Sequence, residues 1–143
     1  MGGRSRPIAV ESFGVILVDT SAWVEFLRDT GSPVCQRVDD LLDDDLATCH
    51  PVRMEVLAGA RDEVHLNDLR RLLARASLLP TRPTDYEQAA ALYRTCRRSG
   101  ETVRRLVDCL IAATAIRTGV PVLHADADFD ALARQTALRV ATP

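Results

Sequence analysis

The sequence predicts an α/β fold, a three-layer α/β/α sandwich around a central parallel sheet of four or five strands. Three observations lead there. Short apolar β-prone runs alternate with longer helix-patterned segments. The first of these runs, Val15-Ile-Leu-Val18, is apolar at every position, as strands buried on both faces are. The 143 residues are 47% hydrophobic but only 4% aromatic, so aliphatic side chains and alanine must fill the interior. Residues 14–143 read as a single domain. Residues 1–13 carry Arg4 and Arg6 but no apolar stretch of signal-peptide length, and read as a flexible lead-in.

The first strand runs into Asp19-Thr-Ser21, with Ser21 placed to cap a helix over Ala22–Arg28. Asp29-Thr-Gly-Ser-Pro33 is turn-rich. Val34–Asp45 reads as a helix with Val34, Val38, Leu41 and Leu42 on one face, and Leu46–Cys49 as a second strand. Pro51 suits the first turn of a helix that runs to about Ala60. Glu63–Ala76 is periodic, with Leu66, Leu69, Leu72 and Leu73 apolar and Arg70, Arg71 and Arg75 mostly outside. Leu78-Leu79 is a marginal third strand. Thr84-Asp-Tyr-Glu87 has the form of a capping box, opening a helix that Ser99-Gly100 ends. Thr102–Thr118 is a helix, almost wholly apolar from Leu106 to Ile116 and therefore buried, with Gly119 ending it. Pro121–His124 is a fourth strand, Phe129–Thr136 a short helix, and Leu138–Val140 an edge strand. There is no internal repeat.

The charge pattern excludes several chemistries. All 18 basic residues are arginine; without lysine a Walker A phosphate loop and a Schiff-base enzyme are ruled out. A net charge of −2 gives no global attraction to nucleic acid, so any such binding needs a local basic patch. Cys35, Cys49, Cys96 and Cys109 form neither a CxxC nor a Cys/His zinc pattern and read as reduced cytosolic thiols.

What remains are carboxylates in apolar surroundings. Asp19 ends a buried strand, at the edge where parallel α/β sheets place ligand sites. Asp126 follows the fourth strand, so both acids point to the same edge. Asp108 shares a face with Ile111, Ala112 and Ala115 on the most apolar helix. An ionised carboxylate there requires a partner, either a metal ion or Arg104 and Arg105 one turn earlier. Glu55 shares a helix face with Val52 and Gly59; the alternative is a glutamate facing water. Asp128 is a further acid of the same loop or a helix cap for Phe129–Leu132. Acids gathered this closely repel unless a cation lies among them. An all-oxygen donor set favours Mg²⁺ or Mn²⁺ over zinc.

Four stretches carry a family resemblance: Val18-Asp-Thr-Ser21, Met54-Glu-Val-Leu-Ala-Gly59, the run from Gly100 to Ala113 containing Arg104-Arg-Leu-Val-Asp108, and His124-Ala-Asp-Ala-Asp-Phe129. In this order and spacing they resemble the motifs of PIN-domain ribonucleases, above all the VapC-type toxins of mycobacterial toxin–antitoxin pairs. The resemblance implies a toxin that inhibits translation as a Mg²⁺-dependent endoribonuclease, with Mn²⁺ able to substitute. The substrate would be structured or single-stranded RNA, such as tRNA or rRNA, cut to leave a 5′-phosphate and a 3′-hydroxyl. It maps the catalytic acids onto Asp19, Glu55, Asp108 and Asp126, with Asp19, Asp108 and Asp126 as metal ligands and Glu55 orienting or deprotonating water. Asp128, Thr20 and Ser21 become accessory residues. It also implies a cognate VapB-type antitoxin over the helices carrying Trp23, Phe26 and Leu27, a homodimer, and heterotetramers or larger assemblies with the antitoxin.

Arg94, Arg97, Arg98, Arg104 and Arg105 flank the Ser99-Gly100 turn and are the candidate RNA contacts; the plainer reading is a solvated helix surface. Trp23 reads as core or interface, His50 and His124 as structural, His65 as surface. The alternatives are a non-catalytic PIN-like module that binds antitoxin and a DNA-directed metal-dependent nuclease. A phosphatase with Asp19 as nucleophile fits poorly, since Ser21 stands where its second acid belongs.

Overall fold

The computed structural model describes residues 14–143; the lead-in expected over 1–13 lies outside the described residues. Four parallel strands form one sheet in the order β3-β2-β1-β4. They are β1 (Ile16–Val18), β2 (Leu46–Cys49), β3 (Ser77–Leu79) and β4 (Val122–Leu123). β1 lies in the middle, paired through Leu17 with Ala47 on one side and Val122 on the other. Every residue of β1 and β2 is buried, which is why both read as unbroken apolar runs rather than alternating ones. The expected fifth strand is reduced to a single bridge from Val140 to Val122.

Among the described residues, seven helices accompany the sheet: α1 (Thr20–Leu27), α2 (Pro33–Leu41), α3 (His50–Ala58), α4 (Glu63–Leu73), α5 (Pro83–Arg98), α6 (Leu106–Thr118) and α7 (Ala127–Gln135). α6 is buried on nearly every side, with Cys109, Ile111, Ala112, Ala113, Thr114 and Ala115 all enclosed. Its small residues let α5 pack closely along it. Gly119 ends α6 at φ +73°, a left-handed position that costs glycine little. Trp23 is fully buried, beneath α1. Among the described residues, no helix is long and apolar enough to cross a membrane.

Three details of the expected boundaries are corrected. The cap of α1 is Asp19, one residue before the helix, whose Oδ2 accepts the Ser21 backbone N–H at 2.9 Å. The cap position of α5 is Arg82, not Thr84, and Asp85 reaches back to accept the Arg82 N–H. Finally, α6 begins at Leu106 rather than Thr102. Residues 101–105 form no helix: the Arg104 N–H donates to Asp128 Oδ2, and Val103 is buried.

Candidate active site

The strand order makes β1 and β4 neighbours, and the Asp19 N–H donates to the Leu123 carbonyl at 3.0 Å. This brings the ends of both strands to one edge of the sheet. Asp19 caps α1, and Asp126 caps α7 by accepting the Asp128 N–H at 3.0 Å. The cap of α7 is therefore Asp126, whereas the sequence pointed to Asp128. Asp108 lies in the first turn of α6. The positive ends of three helices thus face the same region, which offsets part of the cost of gathering carboxylates there.

Asp108, Asp126 and Asp128 each offer a carboxylate oxygen within 4.8 Å of the others. The expected ligand set is Asp19, Asp108 and Asp126; in the fold the tight trio is Asp108, Asp126 and Asp128, and Asp19 lies outside it, near enough for its charge to act on Asp108. Asp19 and Asp108 are both completely buried. Burial raises the carboxyl of each above its ordinary value, against the hydrogen bonds from Ser21 in one case and the charge of Arg105 in the other. Asp108 reaches about 7, and the charges of Asp19 and Asp126 add to the rise. Asp19 Oδ1 and Asp108 Oδ2 have no hydrogen-bond partner. Buried, unpartnered carboxylate oxygens beside further acids are what a hard divalent cation takes up, so the residues present fit Mg²⁺ or Mn²⁺.

Hydroxyls hold this set in place. The Thr20 hydroxyl donates to Glu55 Oε1 at 2.6 Å, fixing a carboxylate that arrives on α3. The Ser21 hydroxyl donates to Asp19 Oδ2 at 2.6 Å and accepts the Ala125 N–H at 2.9 Å, so it ties the end of β1 to the acidic loop. His124 Nδ1 accepts the Asp126 N–H at 3.1 Å. These three residues serve the site by orienting its acids.

The five candidate arginines divide into two groups. Arg94, Arg97 and Arg98 lie on the exposed end of α5, Arg97 over the Tyr93 ring and Arg98 bonded to Thr95. Arg104 and Arg105 turn into the acids. Arg104 donates to Asp126 Oδ1 at 2.9 Å and to Asp128 Oδ2 at 3.2 Å. Arg105 donates to Glu55 Oε2 at 2.8 Å and to Asp108 Oδ1 at 3.0 Å. The two readings of Asp108, cation site or arginine partner, therefore coexist: one oxygen is paired and the other is free.

One buried acid escaped the sequence reading. Asp85 is enclosed between α5 and α6, where Arg117 donates to it at 2.8 and 3.0 Å and Thr114 at 3.3 Å. The guanidinium holds its carboxyl below the ordinary value. Every partner is internal, so the cluster locks two helices together. The hint in the sequence is Arg117, a charge near the end of a mostly apolar helix.

Comparison with known proteins agrees with this geometry. The PIN domain family model matches residues 16–135. Ribonuclease VapC11 of Mycobacterium tuberculosis is 48% identical over 132 residues, spanning 90% of this chain and 98% of its own length. Among solved structures, a DNA-bound VapBC from Salmonella typhimurium superposes with a TM-score of 0.72 at 17% identity, covering 89% of this chain and 96% of that one. VapBC-5 from Mycobacterium tuberculosis gives 0.63 at 24%, covering 91% and 99%; both likenesses are of fold. With its sheet order, its acids and its full-length likeness to a named ribonuclease, the chain belongs to the VapC ribonucleases of the PIN-domain family.

Proposed function

We propose that this chain is the toxin of a toxin–antitoxin pair, an endoribonuclease that uses Mg²⁺, or Mn²⁺ in its place, to hydrolyse phosphodiester bonds of tRNA or rRNA and so stops translation. The observation that carries this reading is the pair of buried, unpartnered oxygens on Asp19 and Asp108 next to Asp126 and Asp128. Asp19, Asp108 and Asp126 would hold the ion, with Asp128 beside them. When bound, the ion supplies charge that offsets what builds on a phosphate undergoing displacement and that makes water a better nucleophile.

The chain's own residues do the rest. Glu55, oriented by Thr20 and only partly exposed, orients the attacking water and takes its proton. Asp126 and Asp19 stay rigid because each is a helix cap. The exposed guanidinium faces of Arg104 and Arg105, with Arg94, Arg97 and Arg98 further out, meet the phosphates of the RNA strand, where arginine also stacks on bases.

The groove between α1, α3 and α4 has a volume of about 400 Å³ and is lined by Val24, Leu27, Val56 and Leu69, with Thr20 and Glu55 at its edge. It suits the apolar face of a VapB-type antitoxin segment leading towards the acids. Leu27 is exposed for this purpose, whereas Trp23 is not. The apolar groove of Tyr86, Ala89, Ala90, Leu106, Val107 and Leu110 is the face we assign to a homodimer, from which larger assemblies with antitoxin follow. Four free thiols suit a cytoplasmic setting.

The test is cleavage of total RNA by the chain purified free of partner, with Mg²⁺, with Mn²⁺ and with chelator. Cutting that requires the ion and is lost in folded Asp19→Asn and Asp108→Asn variants supports the proposal. Equal cutting by those variants refutes it, and cutting of DNA with RNA left intact would move the activity to a DNA-directed nuclease.

A further inference from the structure

We propose that Arg105 is a built-in competitor for the metal, a resident counter-ion that must leave Asp108 before a divalent cation takes full hold. The inference rests on the reading of the acids as a metal site. Its basis is a single guanidinium that bridges two acids from different elements. Nη1 of Arg105 donates to Glu55 on α3 at 2.8 Å, and Nη2 donates to Asp108 on α6 at 3.0 Å. The arginine sits just outside α6, on extended backbone, and its side chain is 48% exposed whereas that of Asp108 is fully buried. The guanidinium therefore has an open side to solvent, and the acid has none.

Charge makes the two occupants exclusive. With Arg105 in place, Asp108 has one oxygen engaged and one free. A divalent ion on the free oxygen meets the guanidinium's positive charge across the same carboxylate. Charge-assisted hydrogen bonds are the strong ones, so release of Arg105 is opposed. The consequence is that metal affinity is weaker than the carboxylates alone would give. Once displaced, the same arginine stands at the mouth of the site with its fork free for a phosphate, which couples metal binding to RNA capture.

The experiment measures metal binding rather than cleavage. Mn²⁺ affinity of the full chain is measured at pH 7.5 by calorimetry or by the loss of the free-ion paramagnetic resonance signal. The variants are Arg105→Ala, Arg105→Lys and, as a charge control, Arg71→Ala on the exposed face of α4. Arg105→Ala is expected to bind Mn²⁺ on the order of tenfold more tightly than wild type, with Arg105→Lys between them and Arg71→Ala unchanged. Lysine keeps the charge but gives up the two-acid bridge, so it provides the same reading if the alanine variant does not fold. Affinity equal to or weaker than wild type in Arg105→Ala, or in Arg105→Lys where that variant stands in, overturns the inference and makes Arg105 an orienting support for the acids. Absence of Mn²⁺ binding in wild type and variants alike overturns the metal reading itself, and this inference with it.

Discussion

Asp108→Asn should make the metal-free protein more stable, although it removes a residue central to the proposed activity. Asp108 is wholly buried, with one oxygen on Arg105 and the other without a partner. Burial lifts its carboxyl from 3.8 to about 7. Each tenfold change in that equilibrium is worth about 1.4 kcal/mol, so holding the group ionised above pH 8 costs the metal-free fold on the order of 4 kcal/mol. The sign follows from the direction. Below pH 4 the group is protonated in folded and unfolded chains alike, and nothing is lost. Between about pH 4 and 7 the unfolded chain releases the proton while the fold retains it, so stability falls as pH rises and levels off above about pH 8. Between pH 5 and 8 the loss amounts to roughly 2–3 kcal/mol. Asparagine has nearly the same shape and no charge. Urea unfolding in chelator should therefore show the variant about 2 kcal/mol or more above wild type at pH 8, and much closer to it at pH 5. Added Mn²⁺ should raise wild type and leave the variant almost where it was. A variant no more stable than wild type at pH 8 in chelator would refute the claim that this acid is held at a cost.

Three other outcomes are expected. Asp85→Asn weakens the pair with Arg117, whose side chain is partly exposed, and should cost about 1–3 kcal/mol in urea unfolding, with cleavage per folded molecule unchanged. Thr20→Val keeps the shape but removes the hydrogen bond to Glu55; RNA cleavage should fall roughly 10- to 100-fold while stability changes by about 1 kcal/mol or less. Burial pushes the Cys49 thiol up to about 11 and that of Cys109 up to about 12, so mass spectrometry after iodoacetamide at pH 8 should find neither alkylated until the chain is unfolded.

β1, β2 and β4 were legible because they are short, buried and punctuated by Gly, Pro and Asp, whereas β3 is largely exposed and reads as marginal for that reason. The run at 15–18 and the strand at 46–49 are set by apolar content alone. The convergence of Asp19 and Asp126 on one edge then follows from parallel strands. Local roles were harder to read. Asp19 takes the capping part expected of Ser21 by accepting the Ser21 N–H, and the serine hydroxyl instead ties β1 to the loop before α7. Asp126 likewise takes the cap expected of Asp128 while staying among the clustered acids. A cap and a ligand are both an acid before a helix, and only the fold decides which oxygen points where. The late start of α6 depends on a hydrogen bond between residues 104 and 128, a separation no local pattern records. The basic cluster around Gly100 looked like one surface. Its division into two arginines that face acids and three that face solvent depends on where β4 ends. Asp85 stayed hidden because its partner lies 32 residues away, on another helix.

In the proposed site Asp19, Asp108 and Asp126, joined by Asp128, would hold a divalent cation. The most direct measurement is anomalous diffraction from crystals of the partner-free chain soaked in Mn²⁺. A peak is expected about 2.1 Å from carboxylate oxygens of Asp108 and of at least one of Asp19 and Asp126, with the guanidinium of Arg105 moved off Asp108. A pocket without a peak at saturating Mn²⁺, or a peak held by other side chains, would contradict this proposal.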